Sequence, residues 1–435
     1  MTSWSENPSS AEINHALRKG FGRAYHWAKA GNIPTETLLN ACLSDYHFNW
    51  QLEESRGDWL WQLISAASLI EHLTEPVLEA IENIREPIVG HQLCEIARHY
   101  VLAGDERFRL QLQRIVKEKP VMDAQWLGEQ ELIRLEDSDG FLTAVIRHGA
   151  DLESREWDWF DATLTGKGIE WLGRDCTIEL LNSHAVTDDR VRRFNDLWLK
   201  EQQQGEDTKR VPYRERYGNF TLEEIITAAE SSEKKEVRFQ VWGRGATDTD
   251  LSTVYDRLLT TSHVETLQRY LRVFETIPWP RYDARLLQLC LHDDKLVRHR
   301  AAVAIANNHD PEVRRFALEH LETPKYQEHS IRLLGRNYEQ GDENRILDVI
   351  ELPDDEDHLH EKLMRLMGLV KRNKTADLKA VGKLIYERTP CSFCRNSIVE
   401  LLDERIGLPE AIRTECRFDV EADTRKLAGG PSWSD

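Results

Sequence analysis

Residues 293–321, DDKLVRHRAAVAIANNHDPEVRRFALEHL, contain two consecutive segments with the same pattern. Each segment begins with acidic residues, continues with a Val-Arg pair and then places apolar residues at helical spacing. In the second segment Val313, Ala317 and Leu321 fall on one helical face. Asp310 is a good N-cap, because its carboxylate can accept a hydrogen bond from a free amide at the helix start. Since one such helix cannot bury its apolar face alone, the pattern predicts stacked helices.

The turn Asp-Pro-x-Val-Arg at residues 310–314 and its imperfect partner at residues 294–298 resemble the HEAT family of armadillo-like helical repeats. The resemblance covers roughly residues 283–350, with a repeat of about 40 residues. A weaker echo occurs at Asp423 and Arg425. The resemblance implies an all-α fold, a right-handed α-α superhelix of HEAT-like helical pairs.

Helical periodicity extends along almost the whole chain, and runs of β-branched residues are scarce. Residues 201–220 are polar and lack an apolar stripe, which is typical of a linker or long loop. Thr221 and Glu224 then have the spacing of a capping box, in which the two side chains bond free amides at a helix start. We therefore divide the chain into an irregular, Trp-rich helical half, residues 1–205, and a HEAT-repeat half, residues 206–435. The two halves can stack continuously.

The charge balance excludes some classes of function. Lys and Arg number 57 and Asp and Glu number 76, which gives a net charge of −19. Such a chain is not expected to bind nucleic acid or anionic membranes in general, because both need clustered positive charge. It favours a protein partner of basic character, although a local basic groove remains an alternative.

Cysteines and apolar runs bear on location. Seven scattered cysteines are an odd number and do not suggest a disulfide framework, so we expect a reducing compartment. The first residues, MTSWSENPSSAE, lack the apolar segment of a signal peptide. No apolar run approaches the length of a membrane span. We expect a cytoplasmic protein.

Candidate binding residues concentrate in the N-terminal half. Thirteen tryptophans are many for this length, and several of them lie near cations in an otherwise acidic chain. Aromatic and cationic side chains together can stack on bases or enclose a charged group. Tryptophans are also large core residues, and this second interpretation stays open. The predicted binding residues, which we expect on a concave surface, are Arg18, Lys19, Arg23, His26, Trp27, Arg56, Trp157 and Trp159.

Two other motifs have ordinary structural explanations. Cys391 and Cys394 form a C-x-x-C pair at a predicted helix start, but no βαβ pattern surrounds them. Cys416 could supply a third zinc ligand, but no histidine follows His360 to complete a set of four. The loop at residues 354–360 contains four acids and two histidines, which is typical of a solvated acidic loop. We therefore expect no cofactor and no metal.

No catalytic motif stands out, so the favoured function is a non-enzymatic HEAT-like scaffold that binds a protein partner on its concave face. The first alternative is a protein acting on nucleic acid, since HEAT-like alkylpurine DNA glycosylases use Trp and Asp on a concave helical surface. In this chain the corresponding place would be residues 156–159 and Asp161. A second, weaker alternative is a HEAT-type lyase or chaperone for a protein-bound chromophore, which rests on repeat analogy alone.

Overall fold

All regular structure in the described part of the protein is helical, which confirms the predicted all-α class. The helices number 25 in this part of the chain, and it contains no strand. None of these helices combines the length and the hydropathy that a membrane crossing requires. The computed structural model describes residues 4–118, 126–154, 162–207, 220–231 and 239–433.

The chain forms two compact units. The first contains Met1–Lys209 together with Cys391–Asn396 and Pro409–Asp435. The second contains Arg210–Pro390 and Ser397–Leu408. The sequence-based division placed the whole C-terminal half in one domain, whereas two C-terminal stretches belong to the first unit.

The helices of the first unit follow one another with short connections. In chain order they are α1 (Ser10–Lys19), α2 (Arg23–Lys29), α3 (Thr35–Cys42), α4 (Gly57–Ala66), α5 (Ile70–Glu82), α6 (Pro87–Leu102), α7 (Glu106–Glu118), α8 (Glu129–Ser154), α9 (Thr163–Leu172), α10 (Arg174–His184) and α11 (Asp189–Asp207). Two short C-terminal helices complete this unit and are numbered last in the chain, α24 (Glu410–Cys416) and α25 (Ala422–Leu427).

The two ends of α1 show how the local sequence determines where this helix begins and ends. Ser9 and Glu12 form a capping box that satisfies free amides at the start of α1. Gly20 ends this helix in the left-handed region at φ +69°. Its carbonyl accepts a 3.0 Å hydrogen bond from the Val420 amide, and a Cβ at residue 20 would lie 2.3 Å from Val420 Cγ1. Glycine is therefore required here both for its backbone angle and for close contact with the C-terminal segment.

The second unit contains eleven further described helices, and α23 links the units along the chain. They are α12 (Leu222–Glu230), α13 (Phe239–Gly243), α14 (Asp248–Thr260), α15 (Val264–Val273), α16 (Ala284–Leu289), α17 (Lys295–Ile305), α18 (Pro311–His320), α19 (Pro324–Asn337), α20 (Asp342–Val349), α21 (Glu356–Arg372), α22 (Lys379–Arg388) and, beginning in the first unit and continuing in the second, α23 (Ser392–Ile406).

Helices of the second unit pack in a repeated arrangement. The helices α15, α17, α19 and α21 each contact the next, and we call them the stacked helices. The helices α14, α16 and α18 each pack against the stacked helix that follows them in sequence. As predicted, Asp310 caps α18, with its carboxylate accepting a 2.8 Å hydrogen bond from the Glu312 amide. The handedness of the superhelix stays a prediction.

An asparagine at the end of each of three successive stacked helices marks the repeat. Asn307, Asn337 and Asn373 each donate the side-chain amide to a carbonyl four residues earlier and to a carbonyl at the end of the preceding repeat. For Asn337 these bonds are 2.9 and 3.1 Å long, and for Asn373 they are 2.9 and 3.0 Å. The asparagines therefore fix one repeat on the next.

Candidate functional site

Arg56 of the predicted binding set lies in the interior of the first unit and is only 1% exposed. Its guanidinium donates to the carbonyls of Leu17 and Arg18, at 3.1 and 2.8 Å, and so caps the C-terminal end of α1. Burial lowers its pKa to about 10, and the Glu53 carboxylate opposes that shift. Arg56 is therefore a structural residue and not part of an exposed surface.

Arg23 and Lys19 take part in holding the C-terminal segment. The Arg23 guanidinium forms a bidentate ion pair with the fully buried Glu415, with Nη2 3.1 Å from Oε2. The Lys19 carbonyl accepts a 2.6 Å hydrogen bond from Arg395. Arg395 also forms a bidentate pair with Asp419, at 2.9 and 3.0 Å, and both side chains are completely buried. The Arg23 side chain and the Lys19 backbone therefore bind the protein's own C-terminal residues.

The aromatic members of the predicted set pack in the same region. Trp27 is buried and donates its indole N–H to the Ser5 carbonyl at 2.8 Å. The His26 ring stacks on Trp4, with centroids 5.2 Å apart, and burial lowers its pKa. Trp27, like Lys19 and Arg56, is buried, so these three do not form the exposed surface that the sequence suggested.

Three of the predicted residues remain to be placed. Arg18 is exposed, with its guanidinium 5.8 Å from the Tyr46 ring, and its binding role stays a prediction. Trp157 and Trp159 lie outside the described residues, as does the rest of the segment that carried the glycosylase-like alternative.

The first unit contains two matching ion-pair clusters built on an Arg-His dipeptide. In the first cluster, Arg98 and His99 of α6 lie 2.8 and 2.7 Å from the same oxygen of Asp58. In the second, the consecutive pair Arg147 and His148 of α8 lies 2.9 and 2.7 Å from one oxygen of a glutamate at the start of that helix, Glu129. The repeated geometry identifies a structural device that neutralises a buried carboxylate.

The first cluster carries two further acids, Glu95 and Glu131. Glu95 accepts a 2.8 Å hydrogen bond from the Ser55 hydroxyl. Burial, followed by the nearby Asp58 and Glu131 carboxylates, raises the pKa of Glu95 to about 8. A Cβ at Gly57 would lie 2.4 Å from the Glu95 Cβ, so only glycine allows this approach of α4 to α6. The cluster is therefore sensitive to pH near neutrality.

A group of arginines lies on the stacked helices of the second unit. Each stacked helix contributes at least one arginine to this surface, and the side chains are half-buried or exposed. We call this set the arginine row: Arg272 of α15, Arg300 of α17, Arg332 and Arg336 of α19, and Arg365 and Arg372 of α21.

Mutual electrostatic effects show that the members of the row are neighbours. Burial lowers the pKa of Arg332 to about 10, and the adjacent Arg365 and Arg372 lower it further. Burial also lowers the pKa of Arg300, with Arg272 as the next cause. Positive groups this close repel one another, so the row is held together by the fold and is suited to an anion.

Few acids balance the arginine row. Glu361 pairs with Arg365 at 2.7 Å, and Glu275 lies 3.7 Å from Arg300. Burial raises the pKa of Glu275, and the nearby Arg300 and Arg272 oppose that shift. Within the described ranges, four members have no carboxylate in ion-pair contact: Arg272, Arg332, Arg336 and Arg372.

A cavity adjoins the N-terminal ends of α17 and α19. Its volume is about 420 Å³, which is in the range of small ligand pockets. Burial lowers the pKa of His329 to about 4, so this ring is neutral near neutral pH. Lys295, Lys325 and the buried Arg298 therefore supply its positive charge. The lining, which we call the histidine pocket, also includes His299, His358, Glu328 and Glu361.

The arginine row escaped sequence analysis because its members are spread over about a hundred residues in an acidic chain. One signal could have revealed part of it. Arg336 and Arg372 immediately precede Asn337 and Asn373, so the Arg-Asn pair repeats at the ends of two stacked helices.

Comparison with protein-family models and with curated proteins gives no match for this chain. No protein-family model matches the sequence. No curated protein matches it either. Function is therefore inferred from the residues themselves.

Proposed function

We propose that the protein is a non-enzymatic, cytoplasmic, HEAT-like helical-repeat scaffold that binds a protein partner along the stacked helices of the second unit. The observation that carries this proposal is the arginine row, four of whose six members have no carboxylate in ion-pair contact among the described residues. The asparagine contacts between successive repeats support the helical-repeat part. They hold the arginines of successive helices at fixed separations, as a binding surface requires.

The local charge favours an acidic segment as the bound part of the partner. The net charge of −19 favoured a basic partner, but net charge describes the whole surface. A cluster of cations in a shallow groove produces a positive local field that attracts anionic segments and speeds their association. The arginine row and the cationic histidine pocket both lie on the stacked helices, so an extended acidic segment can contact both.

A nucleic acid is the second candidate ligand, because arginines also bind phosphates of the nucleic-acid backbone. The overall acidity opposes it, since repulsion from the rest of the chain acts against a long polyanion. The glycosylase-like form of this alternative needs Trp and Asp beside the ligand, and its candidate segment lies outside the described residues.

Fluorescence anisotropy with labelled probes tests the proposal. The probes are a Glu/Ser peptide, a Lys/Ser peptide of equal length and a single-stranded oligonucleotide. We expect the Glu/Ser peptide to bind and the Lys/Ser peptide not to bind, with affinity falling as salt is raised. Preferential binding of the Lys/Ser peptide would contradict the proposal. Preferential binding of the oligonucleotide would replace it with the nucleic-acid alternative.

A further inference from the structure

A narrow cleft opens between α19 and α21 within the arginine row. Its volume is about 70 Å³, and three arginines line it: Arg332, Arg365 and Arg372. By the same kind of measure a single water needs about 10–15 Å³. The cleft therefore has room for a small anion.

Two glycines create the space and set the position of one arginine. A Cβ at Gly335 would lie 2.9 Å from a terminal nitrogen of Arg372, so the guanidinium rests against the backbone of α19. A Cβ at Gly368 would meet no atom within 4 Å. Glycine in a helix interior costs stability relative to alanine, yet each of these two helices has one at this cleft. The two glycines therefore leave the cleft between α19 and α21 open.

The cations in the cleft are incompletely neutralised. Arg365 pairs with Glu361 at 2.7 Å, one turn earlier in α21. Within the described ranges, Arg332 and Arg372 donate no side-chain hydrogen bond to the protein and have no carboxylate in ion-pair contact. Two guanidinium groups are therefore available to a ligand in a space that fits a small oxyanion.

We infer that this cleft recognises a phosphoryl group on a serine, threonine or tyrosine of the bound partner segment. The inference rests on the proposed function, since it assigns a specificity site within the same surface. A phosphate monoester carries about −1.5 to −2 charges at neutral pH and offers three acceptor oxygens. One guanidinium group can donate two parallel hydrogen bonds to the oxygens of a phosphate, and several arginines can bind the same phosphate.

A phosphoryl group suits the cleft better than a carboxylate does. A carboxylate has one charge and two oxygens, so it would leave part of this positive charge uncompensated. A phosphoryl group can accept from Arg332 and Arg372 together, while Arg365 keeps its bond to Glu361 or exchanges it for the ligand.

Isothermal titration with three peptides of one sequence tests the inference. One peptide carries phosphoserine at its centre, one carries glutamate and one carries serine, within the same Glu/Ser background. On the unaltered protein we expect the phosphoserine peptide to bind at least about tenfold more tightly than the glutamate peptide. Arg332→Gln should remove that advantage, whereas Arg345→Gln, which alters an exposed arginine of α20, should preserve it.

A second variant separates binding from folding. Gly368→Leu places a side chain where the structure has open space and replaces a helical glycine, so the unfolding temperature should stay the same or rise. The phosphoserine advantage should nevertheless disappear, because the side chain narrows the cleft. A phosphoserine advantage that persists in Gly368→Leu would overturn the assignment of this cleft.

The outcomes distinguish this inference from the proposed function. If the phosphoserine and glutamate peptides bind the unaltered protein equally well, the cleft inference is wrong and the scaffold proposal stands. If no acidic peptide binds, both are wrong. If the same protein binds a phosphorylated oligonucleotide more tightly than the phosphoserine peptide, the ligand is a nucleic acid and the peptide assignment is wrong.

Discussion

Two arginines of the first unit and two arginines of the second unit have opposite surroundings. In the first unit Arg395 and Arg56 are buried, and their guanidinium groups donate to carboxylate or carbonyl oxygens of the same unit. In the second unit, within the described ranges, Arg332 and Arg372 have no such acceptors and face a cleft. An arginine that donates to acceptors of its own chain stabilises the fold, and one without such acceptors is available to a ligand.

The comparison explains why counting cations along the chain misidentifies a binding surface. Arg23 is close in sequence to other cations, yet the structure turns its side chain toward the C-terminal segment. The members of the arginine row are far apart in sequence and adjacent in space, because stacking brings successive helices together. Exposure and partner groups therefore decide which cations bind, and sequence proximity does not.

The largest expected effect on stability is that of replacing Arg395. Arg395→Met should lower the free energy of unfolding by about 3–5 kcal/mol, because it leaves the Asp419 carboxylate buried without its partner. Urea denaturation followed by circular dichroism measures the change. Arg332→Met is the matched control, and we expect a change within about 0.5 kcal/mol. Equal losses in the two variants would remove the distinction between the two kinds of arginine.

A smaller loss of stability is expected when the asparagine that joins two successive repeats is replaced. Asn337→Ala should lower the free energy of unfolding by about 1–3 kcal/mol, because the side chain is buried and bonds two carbonyls and the Asp310 amide. The exposed Asn344 of α20 provides the control. If denaturation shows the same midpoint for Asn337→Ala and Asn344→Ala, the contact does not fix the repeats.

The pH dependence of stability tests the acid cluster of the first unit. Folding raises the pKa of Glu95 from 4.5 to about 8, mainly through burial. Its contribution to stability is therefore fully present below pH 4.5 and is lost as the pH rises through about 8. Glu95→Gln keeps the shape and cannot ionise. Its unfolding temperature relative to the unaltered protein should rise between about pH 5 and pH 9.

The exposed Glu79 gives the comparison for that series. Because its side chain is exposed, Glu79→Gln should leave stability almost unchanged over the same pH range. A constant difference for Glu95→Gln as well would mean that Glu95 titrates alike in the folded and unfolded chain, against the assignment.

The smallest expected effect is that of Arg18. Arg18→Glu should change the free energy of unfolding by no more than about 0.5 kcal/mol, because the side chain is exposed. The same change at Arg23 should cost several-fold more, since it places a second carboxylate against buried Glu415. Denaturation of the two variants in parallel measures the contrast. If Arg18→Glu is the more damaging, the packing of the N-terminal region is misassigned.

The helical periodicity of the sequence was sufficient to predict the fold class but not to locate the candidate functional site. Val313, Ala317 and Leu321 are buried as predicted, because helical spacing directly reports which face is apolar. The docking of residues 415–420 onto α1 depends on contacts between the two ends of the chain, and no local pattern encodes them. The arginine row likewise depends on the rotation of each stacked helix, which apolar spacing fixes only approximately.

The most direct test of the account combines stability and binding in one double variant, Arg272→Gln with Arg332→Gln. Both arginines belong to the row and, within the described ranges, have no carboxylate in ion-pair contact. The account predicts a free energy of unfolding within about 0.5 kcal/mol of the unaltered protein and an affinity for the Glu/Ser peptide reduced at least about tenfold. Unchanged peptide affinity, or a loss of stability as large as that of Arg395→Met, would contradict the assignment of the arginine row as the binding surface.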